Sequence, residues 1–165
     1  MNMEKVIVIG CPGSGKSVFS AALSQKTGLP LCHLDMLYWN PDRTTVPREV
    51  FDDRLKSILD NDKWIIDGNY GRTMEIRMMA ADTVFFLDYP TEVCIEGIYE
   101  RRGKARPDIP WIEPEDEVDE EFLRSVKEYR DKSRPKVIEL LEKYSYKSII
   151  IFRDRIEADL YLKTL

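Results

Sequence analysis

Gly10-Cys11-Pro12-Gly13-Ser14-Gly15-Lys16-Ser17 fits the pattern G-x-x-x-x-G-K-[ST] at every fixed position. These residue types at this spacing make a cradle for phosphate. The glycines let successive backbone N–H groups turn inward, and a helix beginning at the end of the loop adds the positive end of its dipole. The Lys16 ammonium can reach the β- and γ-phosphates of a nucleotide, and the Ser17 hydroxyl can ligate Mg²⁺. ATP and Mg²⁺ are therefore the expected cofactors, with Gly10, Cys11, Pro12, Gly13, Ser14, Gly15, Lys16 and Ser17 as the binding loop.

The flanking residues supply the elements such a loop needs. Val6-Ile7-Val8-Ile9 is a continuous apolar, β-branched run that reads as a buried parallel strand. Val18 to Lys26 follows with helix formers and apolar residues at 18, 19, 22 and 23. Further strands are expected at Pro30–Leu34, Trp64–Ile66, Thr83–Leu87 and Ser148–Phe152. Helices are expected at 48–60 and 91–102. Strands alternating with helices predict an α/β fold with a five-stranded, mainly parallel sheet flanked by helices. The chain reads as a single domain over residues 1–165.

Ligands of such sheets gather beyond the carboxyl ends of the strands, and charged residues stand there. Asp35, Asp67, Asp88 and Arg153 follow the second to fifth strands. Asp88, just ahead of Tyr89-Pro90-Thr91, reads as a helix N-cap. Asp35 and Asp67 sit where a carboxylate can hold Mg²⁺ or its water shell, or orient an acceptor hydroxyl. Arg153 is placed with the nucleotide. His33, the sole histidine, lies two positions before Asp35 and reads as structural, and Tyr38, Trp39 and Trp111 fall in loop-like segments.

Between Arg101 and Glu121 the composition changes. Arg101, Arg102, Lys104 and Arg106 form a basic cluster, prolines at 107, 110 and 114 interrupt any helix, and an acidic run follows from Glu113 to Glu121. Residues 101–121 are expected to form a lid inserted in the domain, because phosphoryl transfer must exclude water. A helix is expected from about Asp119, carrying Phe122, Leu123, Val126 and Tyr129 toward the core, with Pro135 restarting or kinking it.

A chain of 165 residues with 43% hydrophobic and 33% charged content is an ordinary globular composition. The net charge of −5 argues against a large electrostatic footprint on nucleic acid. Cys11, Cys32 and Cys94 have neither metal-site nor disulfide-framework spacing and read as reduced thiols, which points to the cytoplasm. No apolar run approaches the roughly 20 residues that span a membrane.

The loop, the segment Trp64-Ile65-Ile66-Asp67-Gly68-Asn69-Tyr70-Gly71-Arg72-Thr73, the strand ending in Asp88-Tyr89-Pro90, and Arg101 and Arg102 together resemble adenylate kinases and related P-loop kinases. Within that group, His33-Leu34-Asp35-Met36-Leu37-Tyr38-Trp39, Trp64–Tyr70 and Arg106-Pro107-Asp108 resemble bacterial topology modulation proteins. The resemblance runs from about Lys5 to Phe152 and implies the P-loop NTPase fold. It implies that Asp67 joins Ser17 near Mg²⁺, that Arg72 contacts the acceptor, and that Arg101 or Arg102 lies against the adenine. Arg124 would grip the transferring phosphoryl group. Asn69-Tyr70 departs from the Phe-Pro usual in adenylate kinases, which leaves the acceptor open.

The expected reading is a kinase that passes the γ-phosphoryl of Mg·ATP to a small acceptor, a nucleotide or nucleoside. Lys16, Asp35, Arg101, Arg102 and Arg124 would be catalytic, and Asp35, Asp67, Tyr70, Arg72 and Arg106 would hold the acceptor. A sugar or sugar-acid kinase and a nucleotide-binding regulatory ATPase acting on DNA topology are the alternatives.

Overall fold

Strand β1 (Lys5–Gly10) runs into the glycine loop, from which α1 (Lys16–Thr27) starts. There follow β2 (Leu31–His33), α2 (Leu34–Tyr38), α3 (Arg48–Leu59), β3 (Trp64–Asp67), α4 (Gly71–Ala80), β4 (Thr83–Leu87) and α5 (Thr91–Glu100). The chain ends with α6 (Glu120–Lys132), α7 (Arg134–Lys143), β5 (Ser148–Phe152) and α8 (Arg155–Lys163). This is a computed structural model, and it describes residues 2–112, 114 and 119–165.

The five strands form one sheet in the order β2-β3-β1-β4-β5, and every pairing is parallel. Helices cover both faces, which explains the unbroken apolar run of β1. Val6 and Val8 pack with Phe19, Leu23, Phe85 and Val126 on one face, while Ile7 and Ile9 pack with Ile66, Met78, Phe86 and Leu141 on the other. With period-two side chains, a strand buried on both faces has no polar positions to spare. β1 lies at the centre of the sheet, so the loop that follows it emerges between the ends of β3 and β4.

The structure departs from the sequence reading in five places. β2 stops at His33, and the chain turns at once into α2, so Asp35 stands in the first turn of a short helix instead of a loop. α4 and α8 form where no helix was delineated. Asp88 does not cap α5: the N-cap is Pro90, without a side-chain bond. The Asp88 carboxylate instead accepts hydrogen bonds from Arg134 Nε and Nη2, at 2.9 and 2.8 Å, and from Arg153. Two guanidinium groups outcompete a turn of backbone N–H for a carboxylate whose side chain is 2% exposed. The fifth departure is α5, which ends at Glu100, two residues early.

Asp119 caps α6 by accepting from the N–H groups of Glu121 and Phe122, the expected start of that helix. Pro135 sits in the first turn of α7, where its missing N–H costs nothing. Between α5 and α6 the described residues 101–112 contain turns and bends but no strand or helix. Glu113, Glu115, Asp116 and Glu117 of the expected lid lie outside the described residues.

Candidate active site

The loop is held from three sides. Beneath it, α5 approaches so closely that a Cβ on Gly97 would sit 2.0 Å from the Gly13 carbonyl oxygen. A Cβ on Gly13, whose φ is 86°, would sit 2.1 Å from the Cys94 carbonyl oxygen. Two glycines therefore meet backbone to backbone, and the left-handed conformation at Gly13 is one that glycine adopts without strain. From the side, the Asn69 amide clamps Gly10: Gly10 N–H donates to Oδ1 at 3.2 Å, and Nδ2 donates to the Gly10 carbonyl at 2.5 Å. From behind, Val126 of α6 offers its carbonyl to the Cys11 thiol at 3.8 Å. Hydrogen bonding with Cys94 and burial push the Cys11 thiol up, so it stays neutral.

Lys16 begins α1 and folds its Nζ back onto the Cys11 carbonyl at 3.3 Å. Burial holds its ammonium below the usual range, although Asp67 and Asp35 pull the other way. Both carboxylates thus favour the charged form of the loop lysine. The buried Ser14 hydroxyl has no hydrogen-bond partner among the described residues, which leaves a spare polar group in the cradle. The donor set fits a magnesium nucleotide. Mg²⁺ takes one or two carboxylates beside phosphate oxygens and waters instead of an all-protein cage. Ser17 is half-buried at the loop, and Asp67 lies in register with Val8, just ahead of the loop. No group of three or more His, Cys, Asp or Glu side chains gathers into a ready metal cage among the described residues.

Around Asp67 the structure adds residues that sequence reasoning missed. His33 and Asp67 are register partners in β2 and β3, and His33 Nδ1 bonds Asp67 Oδ2 at 2.6 Å. Burial works against the charged imidazole, but the Asp67 bond wins and raises its pKa. Arg77 is wholly buried and gathers the carbonyls of Gly68, Asn69 and Tyr70 at 3.0, 2.8 and 3.1 Å. It thereby fixes the bend that follows Asp67. Burial lowers the Arg77 guanidinium to about 10, with Asp67 opposing. Its signal in the sequence is an arginine at core spacing among Met74, Met78 and Ala81. Asp108 is buried and held by Arg106 at 2.9 and 2.8 Å. Burial raises its pKa, but the Arg106 bonds prevail and keep it low.

Asp35 accepts a hydrogen bond from the Tyr70 hydroxyl. Burial raises its carboxyl above the usual range, against the Tyr70 bond and the Lys16 charge. Beside this pair opens a cleft of about 320 Å³ lined by Tyr38, Val46, Arg48, Phe51, Tyr70 and Arg72, among others. Tyr38, Phe51 and Tyr70 pack ring against ring at 5.3 to 5.8 Å. Arg72 stands at its rim, paired with Asp52 at 2.6 and 3.2 Å on the exposed side. The segment between α5 and α6 touches this side too, since Trp111 meets Trp39 edge-on at 5.5 Å.

The remaining arginines divide. Arg101 lies over the Phe122 ring at 5.5 Å, and its charge is felt at Lys16. Arg102 turns outward onto Tyr99, with its Cζ 4.6 Å from the ring centre. Arg124 stands on the exposed side of α6 with Glu120, Leu123 and Lys127. The face of α6 that points inward carries Val126 and Tyr129. Arg153 is engaged by Asp88.

No protein-family model and no curated protein matches the chain. Among solved structures it is similar to a shikimate kinase from Bacteroides thetaiotaomicron, at 19% identity and a TM-score of 0.56 over 99% of this chain and 96% of that one. It is also similar to a shikimate kinase from Aquifex aeolicus vf5, at 18% identity and a TM-score of 0.54 over 96% and 91%. At such identity the likeness is one of fold, and the fold is that of the P-loop NTPases.

Proposed function

We propose that the protein is a kinase that transfers the γ-phosphoryl of Mg·ATP to a hydroxyl of a small acceptor. One observation carries this reading: the loop that bears Lys16, Asp35 just after β2 and Asp67 at the end of β3 gather at the carboxyl edge of the sheet beside an aromatic cleft. The loop N–H groups and Lys16 would hold the triphosphate, and Ser17 with Asp67 would hold the metal. Mg²⁺ bound there neutralises charge on the β- and γ-phosphate oxygens. Asp35 takes the proton of the attacking hydroxyl. Burial raises its pKa, which strengthens it as a base, and the Tyr70 hydroxyl fixes the direction of its carboxylate. Arg101 adds positive charge near Lys16.

The cleft favours a nucleotide or nucleoside acceptor. Three aromatic rings offer a bed for a planar ring, and Arg48 and Arg72 offer charge for an anionic group. A hydroxylated ring acid is the second reading, favoured by the two structural neighbours, which are named as shikimate kinases. The resemblance to topology modulation proteins supports a third role, regulatory ATP hydrolysis, which the net charge of −5 disfavours for direct DNA contact.

The test is a panel of nucleosides, nucleoside monophosphates, sugars and ring acids incubated with labelled ATP, with Lys16→Ala alongside. Phosphoryl transfer to one class, lowered roughly 10²–10³-fold in a folded Lys16→Ala variant, is the expected outcome. Equal turnover by that variant refutes the assignment. Transfer only to water, with tight duplex binding in a gel shift, favours the regulatory reading.

A further inference from the structure

His33 lies outside the loop and the cleft, yet its place in the fold is specific. β2 and β3 are parallel with His33 opposite Asp67, so the two side chains leave the sheet on one face from adjacent strand ends. Their 2.6 Å contact is between side chains only 10% and 7% exposed. An ionised carboxylate only accepts hydrogen bonds, so the proton in this contact belongs to Nδ1. The bond engages Asp67 Oδ2 and leaves Oδ1 with no hydrogen bond from any described residue. The backbone after Asp67 is already fixed, by Arg77 on the next three carbonyls and by Asn69 on Gly10. What is left free is rotation of the Asp67 side chain, and that is the motion His33 arrests. The same three residues, His33 to Asp35, thus carry both this brace and the carboxylate bonded to Tyr70.

We propose that His33 is a positioning residue for the metal: by donating Nδ1–H to Asp67 Oδ2 it aims Oδ1 at the Mg²⁺ of the bound nucleotide. The inference rests on the kinase reading of the loop. A carboxylate left to rotate must be ordered when the metal arrives, and substitution of such an outer partner typically lowers metal affinity about 10- to 100-fold. A purely structural brace would lower the melting temperature and leave magnesium dependence alone.

The experiment measures ADP binding by calorimetry, without metal and across a Mg²⁺ titration, for the wild type and three variants. His33→Phe should keep metal-free ADP affinity within about twofold and raise half-saturating Mg²⁺ about tenfold or more. His33→Asn places an amide N–H near the Nδ1 position and should recover most of the loss. His33→Gln reaches toward the Nε2 position and should not. Wild-type magnesium dependence in His33→Phe, or recovery by Gln in place of Asn, overturns the proposal. A second measurement needs no variant: because the chain has one histidine, its ring nitrogens give unambiguous NMR signals. A neutral ring protonated at Nε2 overturns the proposal, since Nδ1 then has no proton to donate. If wild-type protein binds no ADP in either condition, the kinase reading itself falls.

Discussion

Gly97→Ala sets two opposing effects against each other. Gly97 is inside helix α5, where replacing glycine by alanine favours the helix by about 1 kcal/mol. The new Cβ would stand 2.0 Å from the Gly13 oxygen, 3.0 Å from its carbonyl carbon and 3.0 Å from Arg155 Nη2. The arginine can swing away, but the oxygen belongs to the backbone of the phosphate loop. It must retreat by more than an ångström for an ordinary contact of about 3.5 Å. Overpacking costs about 1–3 kcal/mol where side chains yield, and a backbone obstacle puts this site at the upper end. The net loss is about 2 kcal/mol, a fall in Tm of about 4–8 °C for a chain of this size. Because the retreat distorts the loop, ADP affinity should fall with it. Gly71→Ala is the control: it begins α4 with nothing within 4 Å of where a Cβ would stand, and its Tm should hold or rise. Differential scanning calorimetry and ADP titration decide the matter. A Gly97→Ala protein that melts at or above the wild type with unchanged ADP affinity refutes the close-packing argument.

Asp35→Asn should leave ADP affinity nearly unchanged and lower transfer by roughly 10²–10⁴-fold, whereas Asp67→Asn should weaken the response to Mg²⁺ with any acceptor. Titrating Mg²⁺ and then measuring turnover at saturating ATP separates the two. In the wild type, transfer should be full above the Asp35 pKa and fall as pH drops through it, with an acid limb above the ordinary carboxylate range; a limb below about 4 refutes the role of burial. Burial raises the Asp88 pKa but its bonds to Arg134 and Arg153 outweigh it, so the folded pKa is depressed. Its stabilisation is therefore present above the unfolded value of about 3.9 and is lost as pH falls through the folded pKa. Asp88→Asn should cost about 1–2 kcal/mol at pH 7, because Arg153 is largely exposed, and the gap in urea melts should close below about pH 4. Arg77→Met leaves three partly buried carbonyls short of a donor and should cost about 2–4 kcal/mol; a loss below about 1 kcal/mol in denaturant melts would show that the turn stands without it.

Much of the frame was legible because its signals are local. The run Val6–Ile9, the glycine loop and the helix after it follow one another directly, and strand ends with acidic residues locate the site edge. What escaped was short or distant. α2 has five residues, too few to show a helical period before Asp35. α8 buries only Ala158 while Ile156 and Leu160 face out, so its apolar pattern misdirects. The partners of Asp88 lie 46 and 65 residues away, and no rule about caps sees across that distance. The His33–Asp67 contact depends on the register of two strands 34 residues apart. Gly97 looks like a weak point in a helix until the loop beneath it is seen.

The central position of β1 has a consequence for synthesis. The strand leaves the ribosome well ahead of β3 and β4, its neighbours in the sheet, which follow only after about fifty and seventy further residues. At about 5–20 residues per second, Val6–Ile9 stays unpaired on both edges for several seconds or more. During that time a greasy β-branched strand is available to any other nascent chain with a free edge. Nascent chains stalled between Gly10 and Trp64 should therefore aggregate or recruit chaperones, and slowing translation across that stretch should lower the soluble yield. Crowding on polysomes, more than the chemistry of the finished cleft, would then limit how fast this molecule can be made.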